Sequence, residues 1–415
     1  MHPLMKMNFT ETQFDSIVPV SFNETCGFCE NKNKSTPRTR AVSRAPYPYE
    51  VLSMNYPWPE PGTPLEEIAT PMPVIDEARL AANIARVQAY CDSHGKAFRP
   101  HIKTHKIAAV ARQQVEAGAV GLNCQKVTEA EVFADAGFDD ILITYNILGA
   151  AKLARLKALN ARVAKLAVVA DSETTVAGLA STFDADKPLT VLIECDTGAK
   201  RCGVQTPEAA LALAEKIAAA PGLTFGGIMT YPATGGAEQV EAFMSKTMAL
   251  LAEKGIDCAV RSSGGSPDLF FAHLVPSATE HRAGTYVYND RSMVRAGHCT
   301  NDDLAMHILA TVVSRPAPDR AVLDSGSKAL TSDLLGFLDY GSIAGYEGAK
   351  VVSLSEEHAV VDISDCKLPF PEIGSQVKVV PNHTCVVTNL FDRMIFHKDG
   401  VVTRVENVDA RGTVW

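Results

Sequence analysis

Two stretches of this sequence suggest a reactive amine that faces a bound anion. Lys103, in Arg99-Pro-His-Ile-Lys-Thr, directly follows a β-rich run, and a lysine amine at the end of a strand is available as a nucleophile. Residues 262–266 read Ser-Ser-Gly-Gly-Ser, and Arg282-Ala-Gly284 follows them. Small residues let backbone N–H groups approach an anion closely, and the hydroxyl groups add donors. These residues predict a phosphate-binding loop.

Two further stretches place charged and metal-binding groups in predicted loops. The segment Glu194-Cys-Asp-Thr-Gly-Ala-Lys-Arg201 brings carboxylates and cations to the end of a predicted strand. In Pro381-Asn-His383-Thr-Cys385 the imidazole and the thiol are two residues apart, so on an extended segment they face the same side. Two ligands are too few for a closed structural zinc site. We therefore expect an open metal site that water or substrate completes.

Eight β-rich runs alternate with amphipathic helical stretches over residues 76–300. Pro207–Ala219, with Thr206 as its N-cap, and Ala237–Glu253 are two of the predicted helices. Eight β-then-α units predict an α/β protein built on a closed (β/α)8 TIM-type barrel. The predicted strand cores are Ala97–Ile102, Val120–Cys124, Ile141–Tyr145, Leu166–Ala170, Leu189–Cys195, Phe225–Tyr231, Ala259–Ser263 and Thr285–Tyr288.

The barrel would place the reactive residues together. In this architecture the active site lies at the C-terminal ends of the strands, and a phosphate commonly binds the loops after the seventh and eighth strands. Lys103 follows the first predicted strand, residues 262–266 end the seventh, and Arg282-Ala-Gly284 leads into the eighth. We therefore expect the amine and the phosphate loop at one mouth of the barrel.

Beyond residue 300 the alternation ends, and strand-like segments follow one another without helices of useful length. This pattern predicts a second, mainly antiparallel β domain of residues 301–415, to which residues 56–75 add an edge strand at Met72–Ile75. His383 and Cys385 lie in this domain, so we expect the two domains to share one cleft. The predicted strands are Ala305–Val313, Ala321–Asp324, Lys350–Leu354, Val360–Ile363, Val377–Val380, Met394–His397 and Val401–Val405.

Composition narrows the class of partner. The formal net charge is −9 and the sequence has no long Lys/Arg cluster, which argues against nucleic acid or an anionic membrane and favours a small molecule. No apolar run is long enough to span a bilayer, and the first residues lack the pattern of a signal peptide. Ten cysteines scattered through a long chain do not resemble a disulfide scaffold. We expect a cytoplasmic enzyme.

Residues 1–55 differ from the rest of the sequence. They are rich in polar residues and proline and show no helical or strand periodicity, so we expect a disordered extension. Met54 precedes an ordinary enzyme N-terminus, which leaves open whether the upstream residues belong to the native protein. Cys26-Gly-Phe-Cys29 lies in this extension, but no second pair at a suitable spacing supports a zinc or redox site.

From about Thr70 to Trp415 the sequence resembles the fold-type III enzymes that use pyridoxal 5'-phosphate (PLP), and more narrowly the D-threonine aldolase and D-serine dehydratase group. That resemblance implies an alanine-racemase-like barrel plus a β domain, a PLP-dependent lyase and, usually, a homodimer. The motifs that carry it are Arg-Pro-His-Ile-Lys103-Thr, Asp196-Thr-Gly with Arg201-Cys-Gly-Val, Arg282-Ala-Gly-Thr-Tyr-Val-Tyr-Asn-Asp290, Val322-Leu-Asp324-Ser-Gly, Ser355-Glu-Glu-His358 and Pro-Asn-His383-Thr-Cys385.

The resemblance also implies roles for single residues. Lys103 matches the lysine that holds PLP as a Schiff base, and Arg201 matches the arginine near the phenolic oxygen of the cofactor. Arg282 and Tyr231 both fall where a partner of the pyridine nitrogen would lie, and the sequence does not decide between them. His383 and Cys385 match ligands of a divalent metal, which is Zn, Mn or Mg. The residues that match the phosphate cradle are Ser263, Gly264, Gly265, Ser266 and Gly284.

For the reaction, the resemblance implies a β-hydroxy D-amino acid as substrate. Cleavage of the Cα–Cβ bond would give glycine and an aldehyde, as in a D-threonine aldolase, which we expect. Removal of the Cα proton would instead give a 2-oxo acid and ammonia, as in a D-serine dehydratase. An amino-acid racemase fits less well, because racemisation needs a second base opposite Lys103 and has no use for a metal pair. A PLP carrier without turnover would lack the second domain.

Overall fold

The computed structural model describes residues 58–415, so the predictions for residues 1–55, including Cys26 and Cys29, lie outside the described residues. The strands are β1 Met72–Asp76, β2 Ala97–Phe98, β3 Leu122–Cys124, β4 Asp140–Asn146, β5 Lys165–Ala170, β6 Leu189–Cys195, β7 Leu223–Thr230, β8 Val260–Gly264, β9 Glu280–Arg282, β10 Met306–Ala317, β11 Arg320–Leu323, β12 Gly341–Ile343, β13 Lys350–Leu354, β14 Ala359–Asp362, β15 Gln376–Pro381, β16 Arg393–Lys398 and β17 Val401–Asn407. The α-helices are α1 Glu77–Ser93, α2 Ala108–Glu116, α3 Val127–Asp135, α4 Ala150–Arg162, α5 Glu173–Ala180, α6 Pro207–Ala219, α7 Ala237–Glu253, α8 Arg291–Arg295, α9 Ser327–Leu330 and α10 Thr384–Thr388. Short 3-10 helices span Leu65–Glu67, Ile102–Thr104, Ser266–Leu274, Thr285–Val287 and Asn301–Asp303.

Eight parallel strands form the predicted barrel. Their order is β2-β9-β8-β7-β6-β5-β4-β3, and a parallel bridge between His101 and Asn123 joins the two ends of this sheet. Parallel strands buried on both faces carry nearly continuous β-branched and aliphatic runs, as in Leu189–Cys195, which is buried at all but one position. The predicted fold class, a TIM-type barrel with a second β domain, is confirmed.

Capping residues and apolar periodicity predicted the bounds of two barrel helices correctly. Helices α6 and α7 have the predicted bounds, and the Thr206 side chain accepts a hydrogen bond from the Ala209 N–H at the start of α6. Pro207 occupies the first helical position, where its missing N–H costs nothing.

The eighth strand was predicted wrongly. It is Glu280–Arg282, and the predicted strand Thr285–Tyr288 instead contains a 3-10 helix whose Tyr286, Val287 and Tyr288 are buried. The β-branched and aromatic residues after Gly284 suggested a strand, but they pack into the core from a helical turn. The true strand is short and polar, and its charges are satisfied only by residues distant in sequence.

The second sheet has nine strands in the order β11-β14-β13-β12-β15-β10-β1-β16-β17. A further pairing of β10 with β11 closes six of them, from β10 to β15, into a small antiparallel barrel. Strand β1 was expected at an edge, but it lies between β10 and β16. It is therefore an interior strand of the β domain that leads directly into α1.

One hydrophobic core joins the barrel to the β domain. It contains Leu80 of α1 and Phe98 of β2 together with Met306, Val379 and Phe396 of the second sheet, all of them fully buried. Burial of such side chains contributes roughly 1.5–3 kcal/mol each, so the two sheets are held at a fixed distance from each other. In the described part of the chain no helix is long and apolar enough to cross a membrane.

Candidate active site

A cavity of about 230 Å³ opens at the C-terminal ends of the barrel strands, where the β domain covers part of the barrel mouth. Ten of the eleven predicted site residues line it. These are Lys103, Arg201, Tyr231, Gly264, Gly265, Ser266, Arg282, Gly284, His383 and Cys385.

Lys103 lies on the 3-10 turn that follows β2, and His101 fixes the start of that turn. The Lys103 N–H donates to His101 Nδ1 at 3.4 Å, and His101 Nε2 lies 2.9 Å from Gln125 Oε1. Burial and the neighbouring Lys103 ammonium lower the pKa of His101 well below its usual value. His101 is therefore neutral, and these contacts assign its proton to Nε2.

The predicted phosphate loop is the meeting point of two 3-10 helices. Gly265 precedes the helix Ser266–Leu274, Gly284 precedes Thr285–Val287, and in neither case does an N-cap side chain bond the helix. Ser266 Oγ accepts hydrogen bonds from the N–H groups of Gly284 at 3.3 Å and Thr285 at 3.0 Å. Ser266 Oγ therefore occupies the two N–H groups at the start of the second helix, and a phosphate group at this end of the cavity would share or replace these bonds.

The glycines of this loop leave no room for a side chain. A Cβ on Gly265 would lie 3.0 Å from Cε2 of Tyr231, and a Cβ on Gly284 would lie 2.7 Å from the carbonyl oxygen of His101. Gly264 has φ +151°, and a Cβ there would collide with the Arg282 backbone. The close approach of backbone to cavity therefore depends on glycine.

Ser263 is the predicted site residue that does not line the cavity. Successive side chains of a strand point to opposite faces. Ser262 faces the inside of the barrel, where it bonds Glu280, whereas Ser263 lines a separate small cavity with Asp268 and His281. The hydroxyl of Ser263 is thus on the helix side of the sheet.

Arg282 ends β9 and is held inside the barrel. Its Nε donates to Ser262 Oγ at 2.8 Å, and its Nη2 donates to the Thr230 carbonyl oxygen at 2.5 Å. Ser262 Oγ in turn donates to the buried carboxylate of Glu280 at 2.6 Å. Within residues 58–415 the third nitrogen, Nη1, makes no hydrogen bond, and the residue lines the cavity.

Tyr231 and Arg201 contact each other at the cavity. The Arg201 guanidinium lies over the Tyr231 ring, 4.4 Å from its centroid, and 3.8 Å from the Glu194 carboxylate. Burial raises the pKa of Glu194, while Cys202 and Arg201 oppose that shift. The Arg201 guanidinium thus covers one face of the Tyr231 ring.

The two predicted metal ligands, His383 and Cys385, come from the β domain. His383 precedes α10, and its Nδ1 lies 2.8 Å from Asp333 Oδ2. Cys385 lies 3.1 Å from Thr104 Oγ1, one residue after Lys103 on the barrel side. Asp333 has the place of the carboxylate that orients a metal-binding imidazole through its other nitrogen. Among the described residues no group of three or more His, Cys, Asp or Glu could hold a metal, so this pair fits an open site.

His383 and Cys385 each shift the pKa of the other. Burial favours the neutral thiol, but the hydrogen bond and charge of His383 lower the pKa of Cys385 below its usual value. Burial also opposes protonation of His383, yet the hydrogen bond and charge of Cys385, with Asp333, raise its pKa to about 9. An imidazole and a thiol are a donor set that suits zinc and related divalent ions, and both would bind the ion in their deprotonated forms.

Several residues of the site were missed by sequence reasoning. Asp333 and Leu335 come from the loop after α9, and Gln125 and Thr144 come from the ends of β3 and β4. A position after a barrel strand was a usable signal for Gln125. Nothing local marks Asp333, which is 50 residues before His383.

Comparisons with known proteins bear on both domains. Residues 75–292 match the alanine racemase N-terminal domain, and residues 305–397 match the putative serine dehydratase domain. A D-threonine aldolase from Arthrobacter sp. is 34% identical over 372 residues, covering 85% of this chain and 95% of that protein. A 3-hydroxy-D-aspartate aldolase from Paracoccus denitrificans is 32% identical over 375 residues, with coverage of 85% and 94%.

Solved structures of related enzymes have the same fold over most of this chain. The crystal structure of D-threonine aldolase from Filomicrobium marinum superposes with a TM-score of 0.80 at 28% identity, covering 86% of this chain and 100% of that one. D-threo-3-hydroxyaspartate dehydratase from Delftia sp. HT23 gives a TM-score of 0.74 at 29% identity, covering 83% and 98%. A cysteine-to-alanine variant of such a dehydratase is known in a metal-free form.

Proposed function

Because the chain belongs to the D-threonine aldolase and D-serine dehydratase group of fold-type III, PLP-dependent lyases, we propose that it is a D-threonine aldolase. It would cleave a β-hydroxy D-amino acid to glycine and an aldehyde. Lys103, the glycine loop and the His383–Cys385 pair line one cavity, which supports a PLP- and metal-dependent lyase, and the likeness to a D-threonine aldolase over 85% of this chain favours the aldolase reaction. A reactive amine, an anion cradle and a metal-binding pair are the parts that such a reaction requires.

Different residues of the cavity would bind different parts of PLP. Lys103 would hold it covalently, and the loop formed by Gly265, Ser266 and Gly284 would bind its phosphate. Arg201 would lie near the phenolic oxygen. When bound, PLP stabilises negative charge that develops at Cα of an attached amino acid.

We assign the partner of the pyridine nitrogen to Arg282. Its Nε and Nη2 are held by Ser262 and Thr230, which leaves Nη1 as the donor at the cavity. Burial lowers the pKa of Arg282 to about 10, while Glu280 and Glu194 oppose that shift, so the side chain stays cationic at neutral pH. A cation here would keep the ring nitrogen of bound PLP unprotonated and would weaken the cofactor as an electron sink.

A metal ion held by His383 and Cys385 would compensate for this weaker electron sink. These two residues would hold a divalent ion, which acts as a Lewis acid toward the β-hydroxyl of the substrate. Asp333 orients the imidazole for that task, and Thr104 keeps Cys385 next to the turn that carries Lys103. Lys103 lines the same cavity, where its amine would be placed to give Cα the proton that replaces the Cα–Cβ bond, while the β-hydroxyl proton would pass to solvent.

A D-serine dehydratase-like activity is the second candidate, because the D-threo-3-hydroxyaspartate dehydratase has the same fold over 83% of this chain. It would use the same residues and differ only in the bond broken. Lys103 would then remove the Cα proton, and the β-hydroxyl group would leave.

Incubation of the purified, PLP-loaded protein with D-threonine or D-serine, with and without EDTA, tests the proposal. We expect acetaldehyde and glycine from D-threonine, lost in EDTA and restored by Zn, Mn or Mg. Pyruvate from D-serine without glycine would establish the dehydratase instead. The Lys103→Ala protein is the control, because it should lose both turnover and the visible absorbance of the bound cofactor.

A further inference from the structure

Lys106 lies three residues after Lys103, at the end of the turn that carries the reactive amine. Its side chain is buried, and its Nζ lies 2.9 Å from Oε1 of Glu129, which is buried in α3. Nζ also donates to the Ala410 carbonyl oxygen at 3.1 Å and to Thr413 Oγ1 at 3.5 Å. Lys106 is not among the described residues that line the cavity. Any effect of this ion pair on the cavity must therefore pass through the residues around it.

Glu129 connects the ion pair to the beginning of the turn. Its Oε2 accepts a hydrogen bond from the Gln125 N–H at 2.6 Å. Gln125 Oε1 in turn accepts from His101 Nε2 at 2.9 Å, and His101 Nδ1 accepts from the Lys103 N–H at 3.4 Å. These contacts form a closed circuit that leaves the turn at Lys106 and returns to it at His101. Lys103 lies between the two points.

The backbone of Lys106 adopts a conformation that favours glycine. Its φ is +54°, in the left-handed region, and its N–H closes the turn by donating to the Ile102 carbonyl oxygen at 2.8 Å. Glycine would adopt this conformation at no steric cost, but it could not form the ion pair with Glu129. Such strain persists where surrounding contacts impose it. The lysine therefore serves this position through its side chain.

The segment of residues 408–413 holds Lys106 from the other side. The Ala410 N–H donates to the Lys106 carbonyl oxygen at 3.1 Å, so Ala410 contacts both the backbone and the amine of Lys106. The neighbouring Asp409 accepts a hydrogen bond from the Ala108 N–H, the first residue of α2, at 2.7 Å. The chain that follows the turn is thus fixed before α2 begins.

We propose that Lys106 is a positioning residue for Lys103. Its ion pair with Glu129 holds the turn so that the Lys103 amine faces the aldehyde carbon of PLP when the phosphate is in the glycine loop. This inference rests on the proposed function, but it does not depend on which substrate bond breaks. PLP attaches when the lysine nitrogen forms a double bond to that carbon and the aldehyde oxygen leaves as water with the two amine protons. Such a step within a complex depends steeply on how the amine is placed.

The test uses a double variant, Lys106→Met with Glu129→Gln. Removal of the cation alone would leave a buried carboxylate unpaired, whereas glutamine is neutral and still offers an oxygen to the Gln125 N–H. The affinities for PLP and for pyridoxamine 5'-phosphate are compared by fluorescence titration. Pyridoxamine 5'-phosphate has an amine in place of the aldehyde, so it cannot bond to Lys103 and binds by non-covalent contacts only. We expect the affinity for PLP to fall by about tenfold or more relative to that for pyridoxamine 5'-phosphate.

Lys96→Met is the matched control. Lys96 is also buried, and its Nζ donates to the carbonyl oxygens of Val275 and Ala278 at 2.7 and 2.5 Å. It precedes β2, at the opposite end of that strand from the turn, so its loss should leave the affinity ratio unchanged. Amide hydrogen exchange of the cofactor-free protein is the second measurement. The N–H groups of Lys103 and Lys106 should exchange about tenfold faster or more in the double variant, and at the wild-type rate in Lys96→Met.

A wild-type affinity ratio or wild-type exchange at both amides in the double variant would overturn the proposal. An equal loss of affinity for both ligands would also overturn it, because the ion pair would then support the whole cavity. If the double variant does not fold, Asp409→Ala replaces it, since Asp409 is exposed. Loss of its bond to Ala108 should change the ratio in the same direction, and a wild-type ratio would overturn the proposal.

These titrations separate the inference from the proposed function. Failure to cleave D-threonine, or binding of PLP that Lys103→Ala leaves unchanged, would overturn the proposed function. If D-threonine is not cleaved but PLP binding still depends on Lys103, the affinity ratios decide the role of Lys106.

Discussion

Replacement of Glu280 by glutamine would remove one charge from a polar chain that crosses the inside of the barrel. Glu280 begins β9 and is buried, and its carboxylate accepts hydrogen bonds from Arg99 Nε at 2.8 Å and from Ser262 Oγ at 2.6 Å. Ser262 Oγ also accepts from Arg282 Nε. Glu280→Gln thus weakens the support of Arg282 without touching the cavity.

The loss of stability in Glu280→Gln depends on the interactions that Arg99 and Ser262 keep. Loss of one partner from a buried ion pair typically costs about 3–5 kcal/mol. Arg99 keeps its second carboxylate, Asp140, at 2.7 Å. Glutamine also retains one oxygen as a hydrogen-bond acceptor, although its amide N–H groups must then face a donor. We therefore expect the free energy of unfolding to fall by about 3 kcal/mol, the lower end of that range.

Urea unfolding followed by circular dichroism measures this change, and titration with PLP measures its effect on the cavity. Asp140→Asn is the matched control, because it also takes a carboxylate from Arg99 but has no bond to Ser262. Both variants should be destabilised, whereas weaker PLP binding and a shifted cofactor absorbance are expected only for Glu280→Gln. A Glu280→Gln protein within about 0.5 kcal/mol of the wild type would refute the argument, since changes that small are typical of surface substitutions. Equal effects of both variants on PLP would refute the link to Arg282.

Three further predictions concern the loop, the metal pair and acid stability. Gly265→Ala places a Cβ 3.0 Å from Cε2 of Tyr231, and the shift of that ring should weaken PLP binding, measured by fluorescence titration, by about tenfold. Asp333→Asn should lower metal affinity by about 10- to 100-fold in chelator competition, because the imidazole of His383 loses its orienting carboxylate. Burial lowers the pKa of His105 to about 3, so the unfolded state binds the proton more tightly and acidification from pH 7 to 5 should cost about 2 kcal/mol. His105→Gln should lose that part of the pH dependence in urea titrations.

Sequence reasoning succeeded where the determining interactions are local. Thr206 and Pro207 cap and start α6 within the helix itself, so the bounds of α6 could be predicted. Lys103 and Gly265 could be placed because barrel architecture puts strand ends at one face, whatever the details of packing. His383 and Cys385 line the same cavity, but Cys385 lies in α10 and not on the extended segment that the spacing argument assumed, and their metal binding stays a prediction.

It failed where a residue's environment is made by distant parts of the chain. Glu280 and Arg282 did not suggest a strand, because their burial depends on Arg99 and Ser262, which β-propensity cannot show. Asp333 has no motif of its own, and its role depends on a loop that α8 holds in place.

The residues of the candidate site come from two domains, and their spacing depends on how these domains pack. Lys103 and Cys385 are on different domains, yet Thr104 Oγ1 lies 3.1 Å from Cys385 Sγ, and a common hydrophobic core lies behind both. The distance between the turn that carries Lys103 and the helix that carries Cys385 is therefore set by the packing of the two domains. Leu335 is outside that core, on a loop whose anchors are backbone carbonyls and a stacked ring. Its backbone N–H donates to the Asp333 carboxylate, so the loop that forms this wall of the cavity also carries the contact to His383.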